Sequence, residues 1–434
     1  MKEIKIYKAI FFLSILFSTF LSTASNVEIK ITKETSKKNF EIEYVFRESV
    51  RSITIKNAPE NFIMNYWRFK DNHPPTISPN GKIEFSTPKK SLSITIDKGF
   101  DTSEIRAYSP YLFFKSGTGI FLDYFLPNEI NYTKMGKEKN EEIEFEIISK
   151  EKDNNQTTSG NHLKIRGGDF KSYYFLAPIE TQEFKGVNFK TSSEIDIRLT
   201  NSVIENTTKI INLLGKALDH NHPGSIEVLI YYDKSRDYLG FEGGALPGQI
   251  VLTLSGDDLI LNPLRYEREI LLIIAHEAVH LWNGYLFPNK GDSPTWLYEG
   301  SAEYLSYQLL LSLGMISKDY HDYFYKSDIE KCSSVLETEA LGSIDNTPSV
   351  FAAYACGHVI FDVLSVKFDK DDKYKLLKEL FTHSAGGYSF NSLYKLLKQN
   401  DSTASLGVKL DKILSSKIES HENFKSLLST KSSG

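Results

Sequence analysis

Ile273-Ile274-Ala275-His276-Glu277-Ala278-Val279-His280-Leu281-Trp282 is the stretch on which the reading of this chain turns. It contains His-Glu-x-x-His. On a helix, residues four apart lie on one face, so His276 and His280 present two imidazoles side by side. Two neutral imidazoles at that spacing can ligate one zinc ion, and the glutamate between them can reach a water on the metal. From Leu271 to Trp282 the only charged side chain outside the histidines is Glu277, as a buried helix requires. Polar groups buried in such a helix cost free energy unless they find partners, and a metal would be one.

Working outward, Ser293-Pro294 reads as a helix start, with the serine as N-cap and the proline in the first turn. The helix that follows carries Trp296-Leu297-Tyr298-Glu299-Gly300-Ser301-Ala302-Glu303-Tyr304 and is expected to stop near Gly314. Glu299 is a carboxylate on an otherwise uncharged turn. Together with the two histidines it would complete a three-ligand set with one position left for water, the arrangement of a catalytic zinc site. Glu303 lies four residues further on the same face. It is a candidate acceptor for the free N–H of a zinc-bound histidine.

His-Glu-Ala-Val-His, a gap of 18 residues, and then Glu299 in Trp-Leu-Tyr-Glu-Gly resembles the gluzincin metallopeptidases of the aminopeptidase N and leukotriene hydrolase type. His280-Leu281-Trp282-Asn283, and Leu309-Leu310-Leu311-Ser312-Leu313-Gly314-Met315-Ile316-Ser317 after the second glutamate, are similar to the glycyl aminopeptidase branch. The resemblance runs from about Ile226 to Leu364. It implies one Zn2+ per chain held by His276, His280 and Glu299, with Glu277 as general base. It also implies that Tyr354, in Tyr354-Ala355-Cys356-Gly357, donates to the oxyanion; the lysine usual before that glycine is Cys356 here. In the resembling aminopeptidases a glycine-rich segment carries a glutamate that holds the substrate's free amine. The matching residues are Gly243, Gly244, Ala245 and Leu246, a candidate substrate-binding stretch with leucine where the glutamate would stand. Glu242 precedes the glycines and is out of register. The expected activity is therefore peptide-bond hydrolysis with weakened dependence on a free N-terminus. A zinc hydrolase of non-peptide bonds, and a non-catalytic exported binding protein on a metallopeptidase scaffold, are the rival readings.

The chain has 434 residues, enough for two or three domains. A formal charge of −5 gives no reason to expect nucleic acid, and the resemblance implies a peptide or protein substrate as the partner. Residues 1–24 have the form of a signal peptide. Lys2, Lys5 and Lys8 precede an apolar run from Ala9 to Leu21, and Ser22-Thr23-Ala24 offers a small-residue cleavage site. An uncleaved N-terminal anchor is the alternative. No cysteine lies near the cleavage site, and no other segment is expected to span a bilayer. The protein is expected to be exported, periplasmic or secreted.

The predicted fold class is α+β. Residues 25–195 are expected to form a β-sandwich-like domain, because period-two runs recur in Val27–Ile31, Phe40–Tyr44, Ser91–Ile96 and Glu142–Ile147. Residues 196–365 are expected to form a thermolysin-like catalytic domain. It would contain a helix over 202–220, strands at 226–232 and 249–254 separated by a glycine-rich loop, and then the zinc helix. The strand at 249–254 would edge the cleft and be open to an extended substrate. Residues 366–434 read as a short helical C-terminal segment. Cys332 and Cys356 would form either one disulfide or two free buried thiols.

Overall fold

The computed structural model describes residues 26–418 and Phe424, apart from 35–38, 60, 72, 97–107, 140–141, 154–155, 159–160, 168–169, 292, 384–386 and 401–403. The expected signal peptide, residues 1–24, lies outside the described residues. The chain divides into two units. Residues up to Leu112 with Ser116–Ile179 form the first; Phe113–Lys115 with Glu180 onward form the second.

The first unit is rich in sheet. Among the described residues its strands are β1 (Val27–Glu34), β2 (Phe40–Thr54), β3 (Trp67–Phe69), β4 (Thr76–Ile77), β5 (Lys82–Ile96), β6 (Tyr111–Phe114, whose last two residues fall in the second unit), β7 (Gly117–Phe121), β8 (Glu129–Tyr132), β9 (Gly136–Lys139), β10 (Glu144–Asp153), β11 (Gln156–Thr158), β12 (His162–Arg166) and β13 (Tyr173–Phe175), with a short α-helix, α1 (Phe62–Tyr66). Ten of these form one sheet whose main path is β11-β10-β1-β2-β5-β3, and β13-β7-β6 form a second. Alternation sets the register. Val27, Ile29 and Ile31 pair with Phe46, Tyr44 and Ile42, and all six are buried. Trp67 stacks on Phe125 within the same core.

The second unit begins earlier than expected. Strands β14 (Gln182–Phe184) and β15 (Val187–Thr191) pair not with the N-terminal sheet but with β16 (Ile226–Tyr232), β17 (Gly240–Leu246) and β18 (Gln249–Ser255), in the order β14-β15-β16-β18-β17. The expected boundary near 195 therefore moves to about Ile179. Val187 and Phe189 belong to the apolar core beneath this sheet, and that burial decides which sheet they join. Helix α2 (Ile197–Ala217) connects β15 to β16, starting at Asp196, whose carboxylate accepts from the Arg198 N–H.

After β18 come α3 (Asp257–Leu261), α4 (Glu267–His280), a π-helical turn (Leu281–Leu286), α5 (Thr295–Ser312), α6 (Lys318–Leu336), α7 (Ala352–Phe368), α8 (Lys375–Thr382), α9 (Phe390–Gln399) and α10 (Ala404–Ser415). No boundary falls at 366: Leu376, Leu380, Leu393 and Leu410 share one buried core with α4 and the sheet. Pro348–Phe368 is long and apolar enough to cross a membrane, yet 56% of its most apolar window is buried inside the protein, so its apolarity serves that core. Cys332 on α6 and Cys356 on α7 form a disulfide. The fold class is α+β, with a sheet-rich N-terminal region and a helical C-terminal part.

Candidate metal centre

The local sequence builds the centre from two helices. Glu267 and Glu269 place negative charge in the first turn of α4, where it complements the helix dipole. Helix α5 starts after Pro294 rather than on a serine cap: Ser293 Oγ donates instead to Lys290 O. The Thr295 N–H is satisfied by the Asp345 carboxylate, at 3.0 and 3.3 Å. α5 and α7 then cross with Gly300 against Gly357. A Cβ on Gly300 would lie 2.2 Å from Gly357 Cα, so only glycine permits this approach.

His276 and His280 are buried, and their Nε2 atoms are 3.0 Å apart. Glu299 Oε2 lies 3.1 Å from each of them. The outer nitrogens are held separately. His276 Nδ1 is 2.9 Å from Glu303 Oε2, and His280 Nδ1 is 3.0 Å from Asn283 Oδ1. The Asn283 amide donates to Tyr298 O and to Ser301 Oγ, so its oxygen is the atom turned to the histidine. Both Nδ1 atoms therefore carry the ring proton, and both Nε2 lone pairs converge on a carboxylate.

Three acceptors meeting in a buried place with no donor among them repel one another; a cation resolves that arrangement. The donor set fits zinc. Ligands about 2.1 Å from a tetrahedral ion stand roughly 3.4 Å apart, close to the spacings found, and all three donor atoms lie within 4.8 Å of one another.

Without a metal the same field favours a proton. Burial opposes charge on His276, but the Glu299 and Glu303 carboxylates outweigh it and push its pKa up to about 10. Burial likewise pushes Glu299 up, and the two histidines outweigh that and hold it well below the usual carboxylate range. Glu303 is also lowered, its burial overcome by His276. Glu277 goes the other way: burial raises it, although the histidines pull against the rise.

Three tyrosines surround the centre. Tyr354 stacks on His276 with ring centroids 5.6 Å apart, and Tyr298 stacks on His280 at 4.3 Å. Burial and then the Glu299 carboxylate raise both phenols, so both remain donors. Tyr285 is pushed up to about 12 by burial and by Glu277. The sequence alone assigns no role to Asn283, Tyr285 or Tyr298. The signal for Asn283 is its place three residues after His280, and that for Tyr298 its place before Glu299 in Trp-Leu-Tyr-Glu-Gly; Tyr285 carries no motif.

The substrate-side expectation needs correcting. The glycine-rich stretch is not a loop: residues 240–246 form β17, antiparallel to β18. β18 is paired on both sides, so among the described residues β17, not 249–254, is the end strand of the sheet on this side. A Cβ on Gly243 would meet Ile273 Cγ2 at 2.4 Å and Glu277 Oε1 at 2.7 Å, which puts this glycine directly against Glu277. Gly244 follows it on the strand, and Ala245 O accepts from the Tyr285 hydroxyl at 2.9 Å. Leu246 is fully buried, and the two-residue period turns it to the opposite face from Gly243; it does not line the site. Glu242 also alternates away from Gly243 and is paired with Arg236 at 2.5 Å.

No protein-family model matches the chain, and no curated protein does. Its fold is similar to solved structures. An aminopeptidase N family protein from Idiomarina loihiensis superposes with a TM-score of 0.63 and 15% identity, covering 90% of this chain and 76% of that one. An M1 zinc metallopeptidase variant from Deinococcus radiodurans, bound to a Tyr-Ser-Ala substrate, gives 0.52 and 12% identity, covering 90% and 94%. The fold is like that of these two proteins, an aminopeptidase N family protein and an M1 zinc metallopeptidase.

Proposed function

We propose that the protein is an exported zinc metallopeptidase that hydrolyses peptide bonds without requiring a free N-terminus. The observation that carries this reading is the convergence of His276 Nε2, His280 Nε2 and Glu299 Oε2, with Glu277 beside them against the edge strand. These three residues would hold the ion. When bound, zinc supplies a Lewis acid that polarises a carbonyl and acidifies water.

The chain's own groups do the rest. Glu277, whose pKa burial raises, takes a proton from the attacking water and passes it to the leaving nitrogen. The Tyr354 hydroxyl, on the ring stacked over His276, donates to the oxygen on which negative charge develops. Glu303 and Asn283 fix the histidine tautomers and ring planes. Gly243 leaves Glu277 the space a side chain would fill.

The altered recognition of the N-terminus rests on β17. Its one carboxylate, Glu242, faces away from Glu277 and is occupied by Arg236, while Leu246 is buried on the far face. An ammonium left there without a counter-charge would be costly. Export is supported by the form of residues 1–24 and by the Cys332–Cys356 disulfide, a bond at home in oxidising compartments.

The test joins two measurements. Metal analysis should find about one zinc per chain, and a peptide and its N-acetylated twin should be cleaved at comparable rates. A protein that cannot be loaded with zinc overturns the site. Loss of first-bond cleavage on acetylation overturns the recognition.

A further inference from the structure

We propose that Tyr285 is a stop at one end of the substrate track, so that the enzyme cuts peptides near a chain end by steric exclusion rather than by charge capture. The inference rests on the peptidase reading above and concerns which peptides that site accepts.

The direction of the backbone groups on β17 follows from its neighbours. Gly248 O accepts from Glu227 N, and Leu254 O accepts from Asp233 N, so the even-numbered residues of β18 turn toward β16. The odd-numbered ones, Gln249, Val251 and Thr253, therefore turn toward β17, where they oppose Leu246, Gly244 and Glu242. Phe241, Gly243 and Ala245 consequently direct their N–H and C=O groups outward, away from β18. An extended peptide laid on that edge would pair with Phe241 and Gly243.

At Ala245 the edge is already engaged. The Tyr285 hydroxyl donates to its carbonyl, joining the segment after the zinc helix to the edge strand. Backbone geometry puts Tyr285 there. Residues Leu281–Leu286 form a π-helical turn, with Phe287 N–H bonded to Trp282 O at 2.7 Å, five residues back. A wider turn returns the fifth residue after His280 to the face that His280 occupies. Gly284 keeps the turn close: a Cβ there would lie 2.9 Å from the Tyr298 hydroxyl.

Gly243 marks the level of Glu277 on the strand, and Ala245 lies two residues further, about 6.6 Å at 3.3 Å per residue. An extended substrate thus has space for about two residues on that side before it meets the tyrosine ring and its hydrogen bond. A polypeptide threading past would have to break that bond and displace the ring. The substrate class is therefore peptides with at most about two residues beyond the cleaved bond on the Ala245 side, and no such limit on the other.

The experiment uses the zinc-loaded full-length protein and two series of fluorogenic peptides, N-acetylated and C-amidated. One is lengthened by one to four residues on the N-terminal side of the cleaved bond, the other on the C-terminal side. For each protein, kcat/KM is normalised to that protein's shortest substrate. The wild type should show a fall of at least about tenfold beyond the second residue in one series and a flat profile in the other. Tyr285→Ala should flatten the falling series. Tyr285→Phe, which keeps the ring and loses the hydroxyl, should soften the fall without abolishing it. Binding of the same peptides to the Glu277→Gln protein, read by fluorescence anisotropy, should give the same asymmetry independently of turnover. Two flat wild-type series, or a Tyr285→Ala profile that still falls, overturns the stop while leaving the peptidase reading intact. A zinc-loaded protein that neither cleaves nor binds any of these peptides overturns both.

Discussion

Gly300→Ala perturbs the centre through packing alone. Gly300 follows Glu299, the proposed zinc ligand, on α5, and Gly357 lies three residues after Tyr354 on α7. The added Cβ would stand 2.2 Å from Gly357 Cα, and the reciprocal change at Gly357 would put a Cβ 2.3 Å from Gly300 Cα and 2.5 Å from Trp296 O. All of these are backbone atoms, so no side chain can swing aside. Carbon–carbon contact begins at about 3.5 Å, and the helices must therefore separate by about 1.3 Å. The Cys332–Cys356 disulfide ties α7 to α6 and resists that movement. Overpacking of this kind costs roughly 1–3 kcal/mol, and a misplacement near 1 Å costs about 10²-fold in rate. The variant should melt lower by about 2–4 °C for each kcal/mol lost in a unit of this size. Its kcat/KM should fall about 100-fold while it still binds zinc, because the two histidines sit on another helix. Thermal melting, zinc titration and peptide hydrolysis on one preparation make the assay. An alanine variant that melts with the wild type and cleaves within twofold of it would refute the claim that this crossing sets the distance between Glu299 and Tyr354.

Three further outcomes follow from the same geometry. Tyr354→Phe should lower kcat by about 10²-fold with little change in KM, since the hydroxyl acts once the oxyanion develops; an effect on KM alone removes it from the reaction. Glu303→Gln should weaken zinc binding by about 10- to 100-fold in a chelator competition, because the carboxylate that fixes His276 is lost; an unchanged affinity would show that the 2.9 Å contact does not hold the ring. Replacing Cys332 and Cys356 together by serine should cost about 3.5 kcal/mol in denaturant unfolding, the chain-entropy value for a closed loop with a sequence separation of 24; unfolding at the wild-type midpoint would mean that the bond constrains nothing.

Some of this protein is determined by the sequence taken a few residues at a time. His276 and His280 share a face because a helix turns every 3.6 residues, and Glu303 falls one turn after Glu299 for the same reason. Period two in 27–31 and 40–44 prescribes strands with one buried face, and β1 and β2 are those strands. These are short-range consequences of backbone geometry, which is why they can be read without a structure.

What the tertiary structure decided are matters of partnership across the chain. The sequence offers 240–246 as a glycine-rich loop, since glycine is a poor strand former; pairing with β18 makes it the edge of the sheet. That pairing also turns Leu246 into the interior and Glu242 toward Arg236. β14 and β15 alternate like their N-terminal neighbours, and only the burial of Val187 and Phe189 assigns them to the second unit. The cysteines left two outcomes open until α6 and α7 packed side by side. Tyr285 carries no sequence signal, and Tyr298 none beyond its place before Glu299, because their roles depend on a π turn and on ring stacking, neither of which has a period that a single sequence displays.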